Sequence, residues 1–314
     1  MLITITKKPG PTGMGTGTDA GGSRWKVAQQ CLYKYYNKYE RNGTGITKGT
    51  GSNWKAVRGS AVHESLCWLY NVLNGQLPPG LPEGVYPETF DTSNTKHIGM
   101  IFEISLAMGM QVIKNSTFEP EFEEDLKKQL AITIDRYMEH YQDELFNPKD
   151  DGLKVEQTEI YIESDILHKR YTARLDLIGK YGDVPIIGDH KTTGMHWSIY
   201  QKGLKRDLSL MGYVYNARKK YNIPYQMLIN GIHFKSTKVF DVDFQRDLIT
   251  YSDYHMEEFE KSLGKIHSDI DCCKENNEWP QNGESCMSHM VECEYYGLCN
   301  NPETEFSYEA KPSL

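Results

Sequence analysis

The stretch 171-YTARLDLIGKYGDVPIIGDHKTTG-194 decides the fold, because two apolar runs meet there at a Gly-Asp pair and each carries an aspartate. The runs read as strands over 169–181 and 184–191. A two-residue Gly182-Asp183 connection with glycine first suits a type II′ hairpin. Pairing Tyr181 with Val184 then carries the register along both strands until Asp176 stands opposite Asp189.

Directly opposed side chains have Cβ atoms roughly 4.5–5.5 Å apart, and like charges there are unfavourable unless a cation lies between them. The apolar neighbours Leu175, Leu177, Ile178, Ile186 and Ile187 indicate strands covered on both faces. A hard divalent cation, Mg²⁺ or Mn²⁺, accounts for such a pair, since it prefers carboxylate oxygen and can keep waters for chemistry. The period of two puts Lys191 on the Asp189 face and His190 on the other. An ammonium there could stabilise charge on a metal-bound phosphate or help deprotonate a water. The competing reading is a solvated sheet face on which Arg174, Asp176, Asp189 and Lys191 form cross-strand ion pairs. A one-residue slip would also move Asp189 to the opposite face.

Outward from the hairpin, apolar spacing predicts helices over 24–40, 54–75, 96–114 and 120–146. Alternation predicts further strands in 154–164, 226–234 and 238–244, with a helical stretch near 207–221 and a long polar helix over 244–274. The Gly- and Thr-rich segments 8–22 and 42–53 read as loops, and neither carries the Gly-Lys-Ser/Thr ending of a phosphate loop. The expected organisation is a flexible N-terminus (1–23), one α/β domain (24–300) and a tail (301–314).

The chain has 314 residues, a net charge of −8 and a 39% apolar share, enough to bury a core. No run approaches the roughly 18 apolar residues that span a bilayer, and the N-terminus lacks a signal peptide's apolar segment, so a cytoplasmic protein without membrane association is expected. An acidic chain repels phosphate overall, so a nucleic-acid partner must be held by a local basic surface or by metal ions. Seven cysteines are an odd count without an export signal, which favours metal or cluster ligation over disulfides.

In 59-GSAVHESL-66, His63 lies one turn after Gly59, whose missing side chain permits close approach of another backbone or a ligand. Alone, His63 reads as a surface or core histidine; beside two carboxylates, an imidazole is a good additional metal ligand.

The order Gly59-x-x-x-His63, Asp176, Asp189-x-Lys191 resembles the RecB-type branch of the PD-(D/E)XK nucleases, metal-dependent enzymes that hydrolyse DNA phosphodiesters. The resemblance implies a restriction-endonuclease-like α/β core, a mixed central sheet flanked by helices, here with helical insertions. It implies metal binding by His63, Asp176, Asp189 and the carbonyl of His190, with Lys191 at the attacked phosphate. The Gln-x-x-x-Tyr motif of that branch aligns with 209-SLMGY-213: Tyr213 matches, and Ser209 stands where glutamine is expected, which bears on substrate positioning more than on metal binding.

The C-terminal run 286-CMSHMVECEYYGLC-299 carries Cys286, Cys293 and Cys299. Similarity to iron-sulfur members of the branch, among them CRISPR-associated exonucleases, the AddB recombination subunit and phage-encoded relatives, implies a [4Fe-4S] cluster on these three and Cys31. Two alternatives stand beside it: a Zn²⁺ site made by Cys286, His289, Cys293 and Cys299, and inert thiols. Cys67 reads as a core residue and Cys272 and Cys273 as incidental.

Lys202, Lys205, Arg206, Arg218, Lys219 and Lys220 could follow a DNA backbone or simply form a solvated helix surface. Tyr33, Tyr35, Tyr36 and Tyr39 could stack on bases or pack helices. The expected function is a divalent-metal-dependent deoxyribonuclease, an exonuclease by analogy with the iron-sulfur relatives. Its substrate would be single-stranded DNA or duplex ends in recombination, repair or phage DNA processing, with a recombination or helicase partner and, for a phage protein, in the host cytoplasm. The rival is a nuclease-derived module that binds DNA or a recombination partner without cutting, for which Ser209 is the support.

Overall fold

The computed structural model describes residues 21–41, 46–48, 54–79, 86–87, 89–116, 118, 120–235, 239–288, 291–301 and 308–310. In chain order the elements begin with α1 (Gly22–Gln30), α2 (Leu32–Tyr35), β1 (Ile46–Lys48), α3 (Trp54–Leu73), α4 (Thr95–Asn115), α5 (Glu123–His140) and α6 (Gln142–Phe146). The central part holds β2 (Leu153–Ile166), β3 (Lys169–Tyr181), β4 (Val184–Thr193), α7 (Trp197–Leu204), α8 (Leu208–Tyr221), β5 (Gln226–Lys235) and β6 (Asp241–Ile249). The chain then runs through α9 (Asp253–Asn276), β7 (Met287–Ser288), β8 (Val291–Glu292), α10 (Tyr296–Asn300) and β9 (Tyr308–Ala310).

Five strands form one sheet in the order β2-β3-β4-β5-β6. Its neighbours are antiparallel except β4 and β5, which run parallel and are joined through α7 and α8. Two apolar cores sandwich the sheet. One gathers Leu175, Ile178, Ile187, Met227 and Ile229 under α1, α8 and α9. The other gathers Leu177, Ile186, Leu228 and Ile232 under α3, α4 and α5. This is the expected α/β class, a mixed sheet flanked by helices, and the first half of β4, Val184–Gly188, reads as an unbroken apolar run because the strand is covered on both sides.

The hairpin register is the expected one, from Tyr181 opposite Val184 to Leu177 opposite Gly188. Gly182 has φ +57° while Asp183 keeps a negative φ, the pattern of a type II′ turn. The ladder ends one pair short of Asp176 and Asp189. Strand alternation would put Leu175 and Leu177 in the same core, yet they lie in opposite ones, so the alternation breaks at Asp176. Across the β2–β3 register, the residue facing Asp176 is Glu159, held at φ +52°. The direct cross-strand opposition of the two aspartates is therefore corrected to a neighbouring placement around a strand irregularity.

Other boundaries differ from expectation. The helix over 24–40 breaks at Cys31, which is extended and accepts the Lys34 N–H on its sulfur, capping α2; a π-helical turn over Tyr36–Glu40 follows. The helix over 120–146 divides at Tyr141. The long polar helix expected from 244 begins at Asp253, behind a capping box of Ser252 and His255, because residues through Ile249 extend the edge strand β6. The short helix α7 carries no strong sequence signal. β1 pairs with β9, so three residues of the expected tail join a strand from the Gly- and Thr-rich segment. Of the expected flexible N-terminus, residues 1–20 lie outside the described residues, as does most of 42–53. Among the described residues, no helix is long and apolar enough to cross a membrane.

Candidate active site

The hairpin, α3 and α8 converge at the end of the β3–β4 ladder. Gly59 lets α3 approach β4: a Cβ there would stand 2.9 Å from Thr192 Oγ1. One turn later His63 Nδ1 reaches Asp176 Oδ2 at 3.3 Å. The same oxygen accepts the backbone N–H of His190 at 2.7 Å. Asp189, only 3% exposed, is ion-paired through its Oδ2 with Lys191 Nζ at 2.5 Å. Tyr213, on α8, is part-buried on the Asp189 side of the sheet, in the core that also receives Ile187.

Burial and neighbouring charge push these groups apart in acidity. Burial would raise the Asp176 carboxyl, but His63, His190 and Lys191 outweigh it and hold Asp176 well below the usual carboxylate range. Asp189 is pushed up to about 6 by burial, with Lys191 opposing and Asp176 adding to the rise. Burial lowers the His63 imidazole, yet the Asp176 carboxylate prevails and the net shift is upward. Burial likewise opposes the charged form of Lys191, and Asp189 reverses it, keeping the ammonium protonated. The Tyr213 hydroxyl is raised by burial and by the Asp189 charge, so it stays a neutral donor. Two carboxylates of different acidity beside an ammonium, an imidazole and a phenol make a site able to hold a cation and an anionic group together.

Among the described residues, no three His, Cys, Asp or Glu side chains are already gathered around one point that could hold a metal ion. The donor chemistry nonetheless fits a hard divalent ion: two carboxylates, the one on Asp189 only 3% exposed, beside one imidazole. His190 points its ring to the opposite face, as expected, where Nδ1 lies 2.8 Å from Asn230 Nδ2.

Two carboxylates near the site were not foreseen. Glu159 pairs with Arg174, and burial followed by the Asp176 charge pushes it up to about 7 despite that partner. Glu64 accepts Trp68 Nε1–H at 2.9 Å, and its carboxyl is raised by burial. Nothing in an alternating strand sequence marks Glu159 from its neighbours; only the register and the positive φ do.

Ser209, at the start of α8, sits where α1 presses in: a Cβ on Gly22 would stand 2.8 Å from Ser209 Cα. The place where glutamine is expected is thus partly covered by α1. Asp207 caps α8 through the N–H groups of Ser209 and Leu210 and pairs with Lys26 at 2.6 Å.

Cys31, Cys286, Cys293 and Cys299 line one small cavity together with Lys34, Ser285 and Tyr295. The extended break at Cys31 places the early thiol beside the late ones. Burial raises the Cys293 and Cys299 thiols, and neighbouring cysteines add to the rise, so crowded thiolates there would need a cation. His289, the alternative zinc ligand, lies outside the described residues. Cys67 is buried in the α3 core, as expected, and Cys272 is exposed.

The basic residues divide. Arg218 donates to the carbonyls of Tyr225 and Tyr251, and Lys219 to that of Asp165, which makes them structural; Lys202, Lys205 and Arg206 are exposed around the α7–α8 connection. The early tyrosines pack: Tyr35 is 1% exposed, and Tyr36 stacks on Trp279 with centroids 4.9 Å apart.

The family model of the PD-(D/E)XK nuclease superfamily matches residues 22–300. No curated protein matches. Among solved structures, a protein from Eubacterium rectale named "Putative exonuclease" is 16% identical, with a TM-score of 0.40, covering 74% of this chain and 89% of that one. The protein SSO0001 is 11% identical, with a TM-score of 0.26, covering 56% and 87%. With a family match across most of its length, the chain belongs to the PD-(D/E)XK nuclease superfamily.

Proposed function

We propose that this nuclease-superfamily member is a divalent-metal-dependent deoxyribonuclease, acting as an exonuclease on single-stranded DNA or duplex ends. One observation carries the reading: His63, from a helix more than 100 residues upstream, meets Asp176, Asp189 and Lys191 of the hairpin where the β3–β4 ladder ends.

His63, Asp176, Asp189 and the His190 carbonyl would hold Mg²⁺ or Mn²⁺. Such an ion supplies activation of a water and screening of phosphate charge. Lys191, protonated through its contact with Asp189, is placed to stabilise negative charge developing on the attacked phosphate. Tyr213 offers a neutral hydroxyl donor on the same side. Lys202, Lys205 and Arg206 offer cations for the DNA backbone. The exonuclease preference comes from the iron-sulfur relatives and not from a residue at the site.

The four cysteines would hold a [4Fe-4S] cluster as a structural clasp between the α1–α2 break and the C-terminal segment, in a domain running over 24–300. Four thiols on one cavity support a four-cysteine ligand set that includes Cys31. Work in recombination, repair or phage DNA processing, beside a recombination or helicase partner, belongs to the same proposal.

A second reading, a DNA-binding module that does not cut, draws on α1 covering the Ser209 position. End-labelled linear and closed circular DNA, single- and double-stranded, incubated with Mg²⁺ or Mn²⁺, separates the two. Metal-dependent cutting by the native chain and its loss in Lys191→Ala support the nuclease; sparing of circles supports the exonuclease. DNA retention without cleavage by cluster-loaded native protein under either metal overturns the nuclease reading in favour of the module.

A further inference from the structure

Behind the candidate site, a buried polar chain leaves His190 and crosses to the far edge of the sheet. The Asn230 amide nitrogen lies 2.8 Å from His190 Nδ1 and donates to the Tyr137 hydroxyl at 2.7 Å. Tyr137 and Tyr70 share a hydroxyl hydrogen bond of 2.7 Å, and Arg246 donates to both oxygens at 3.2 and 3.3 Å. Arg246 closes the chain in an ion pair with Glu144. With Nδ1 accepting from Asn230, the ring proton of His190 resides on Nε2.

Packing does not require this network. Asn230 is 1% exposed, and its Oδ1 has no hydrogen-bond partner, so the side chain carries a desolvation cost. What the network does is hold His190. That residue lies between Asp189 and Lys191, and its N–H grips Asp176 at the point where the ladder offers no further pairing.

We propose that Asn230, backed by Tyr137 and Arg246, is a positioning residue for the candidate metal site: it pins the His190 ring and thereby the peptide that ties Asp176 to Asp189 and Lys191. The inference rests on the nuclease reading above. Asn230 acts on the site through His190.

The test compares the full native chain with Asn230→Leu, which keeps the branched shape and removes the amide, and with His190→Phe, which keeps a ring facing Tyr70. Mn²⁺ affinity is measured by calorimetry, thermal melting alongside it, and kcat and half-saturating Mn²⁺ on linear duplex DNA. Each variant is expected to weaken Mn²⁺ binding about 10–100-fold, the range for outer-shell partners of a metal site. The Asn230→Leu melting temperature should be unchanged or higher, and the double variant no worse than either single one. Native-like Mn²⁺ affinity in Asn230→Leu, or additive losses in the double variant, would overturn the proposal. If Asn230→Leu does not fold, Tyr137→Phe, which removes only the hydroxyl that Asn230 meets, is judged by the same affinities. A native chain that binds Mn²⁺ without cutting DNA sinks the nuclease reading while the affinities still decide the positioning role. A native chain that binds no Mn²⁺ sinks both.

Discussion

The backbone N–H of His190 and the imidazole of His63 meet at one oxygen, Oδ2 of Asp176, at 2.7 and 3.3 Å. That oxygen joins β3, β4 and α3 at the place where strand pairing stops. The arrangement orients the carboxylate without relying on the ladder, and it sets the chemistry of everything around it. The weaker acid, Asp189, takes the ammonium, while the stronger acid, Asp176, takes the imidazole.

Removing the ammonium should expose that dependence. Lys191→Ala is expected to lower kcat by about 10²–10³-fold, the range for losing one charge-stabilising donor. It should also cost about 3 kcal/mol of stability at neutral pH, because Asp189 is left buried without its cation. Adding Asp189→Asn should restore much of the stability and none of the activity. Urea unfolding and single-turnover cleavage read the two effects separately.

His190 should make stability fall on acidification. Burial depresses its imidazole from 6.5 to about 3 in the folded chain. The unfolded chain therefore takes up the proton first, so the stability is fully present above about pH 6.5 and is lost as pH falls toward 3. Between pH 6 and 4 the native chain should lose about 1 kcal/mol per pH unit more than His190→Phe. Equal slopes in urea unfolding of the two proteins would show that the ring accepts a proton in place.

The cysteine cavity predicts a matched set of losses. Serine at Cys31, Cys286, Cys293 or Cys299 should remove bound iron and visible absorbance and lower the melting temperature, since each thiol lines the same cavity. Serine at exposed Cys272 should leave all three unchanged. Metal analysis that finds stoichiometric zinc and no iron in anaerobically prepared protein would replace the cluster with zinc.

Gly109 sets the distance between α4 and the turn of α3 on either side of His63. A Cβ there would meet Ser65 Oγ at 2.1 Å and the Ala61 carbonyl oxygen at 2.6 Å. Gly109→Ala should cost about 1–3 kcal/mol through overpacking, whatever it gains in helix propensity. Urea unfolding of the two proteins measures the cost, and equal stabilities would show that α3 and α4 can separate without loss.

Much of this was legible in the chain itself. The Gly182-Asp183 turn and the apolar runs on either side contained the hairpin register, because a two-residue turn leaves one pairing and a buried strand leaves one parity. The order of Gly59, His63, Asp176, Asp189 and Lys191 named, through resemblance to a nuclease branch, side chains that the structure brings together; local spacing alone places only Asp189 and Lys191 on one face. What only the tertiary structure decided are the features that depend on distant neighbours. The break in alternation at Asp176 goes with the positive φ of Glu159, a residue on another strand. The break at Cys31 ends a sequence that helical spacing alone would continue, and it sets that thiol beside three others more than 250 residues away. The second half of the edge strand, residues 245–249, reads in sequence as the start of a polar helix, and only pairing with β5 continues the strand through it. The chain from His190 to Glu144 links residues of α3, α5, α6 and three strands or their neighbours through single hydrogen bonds, which leave no periodic trace in sequence because each partner is chosen by proximity and not by spacing.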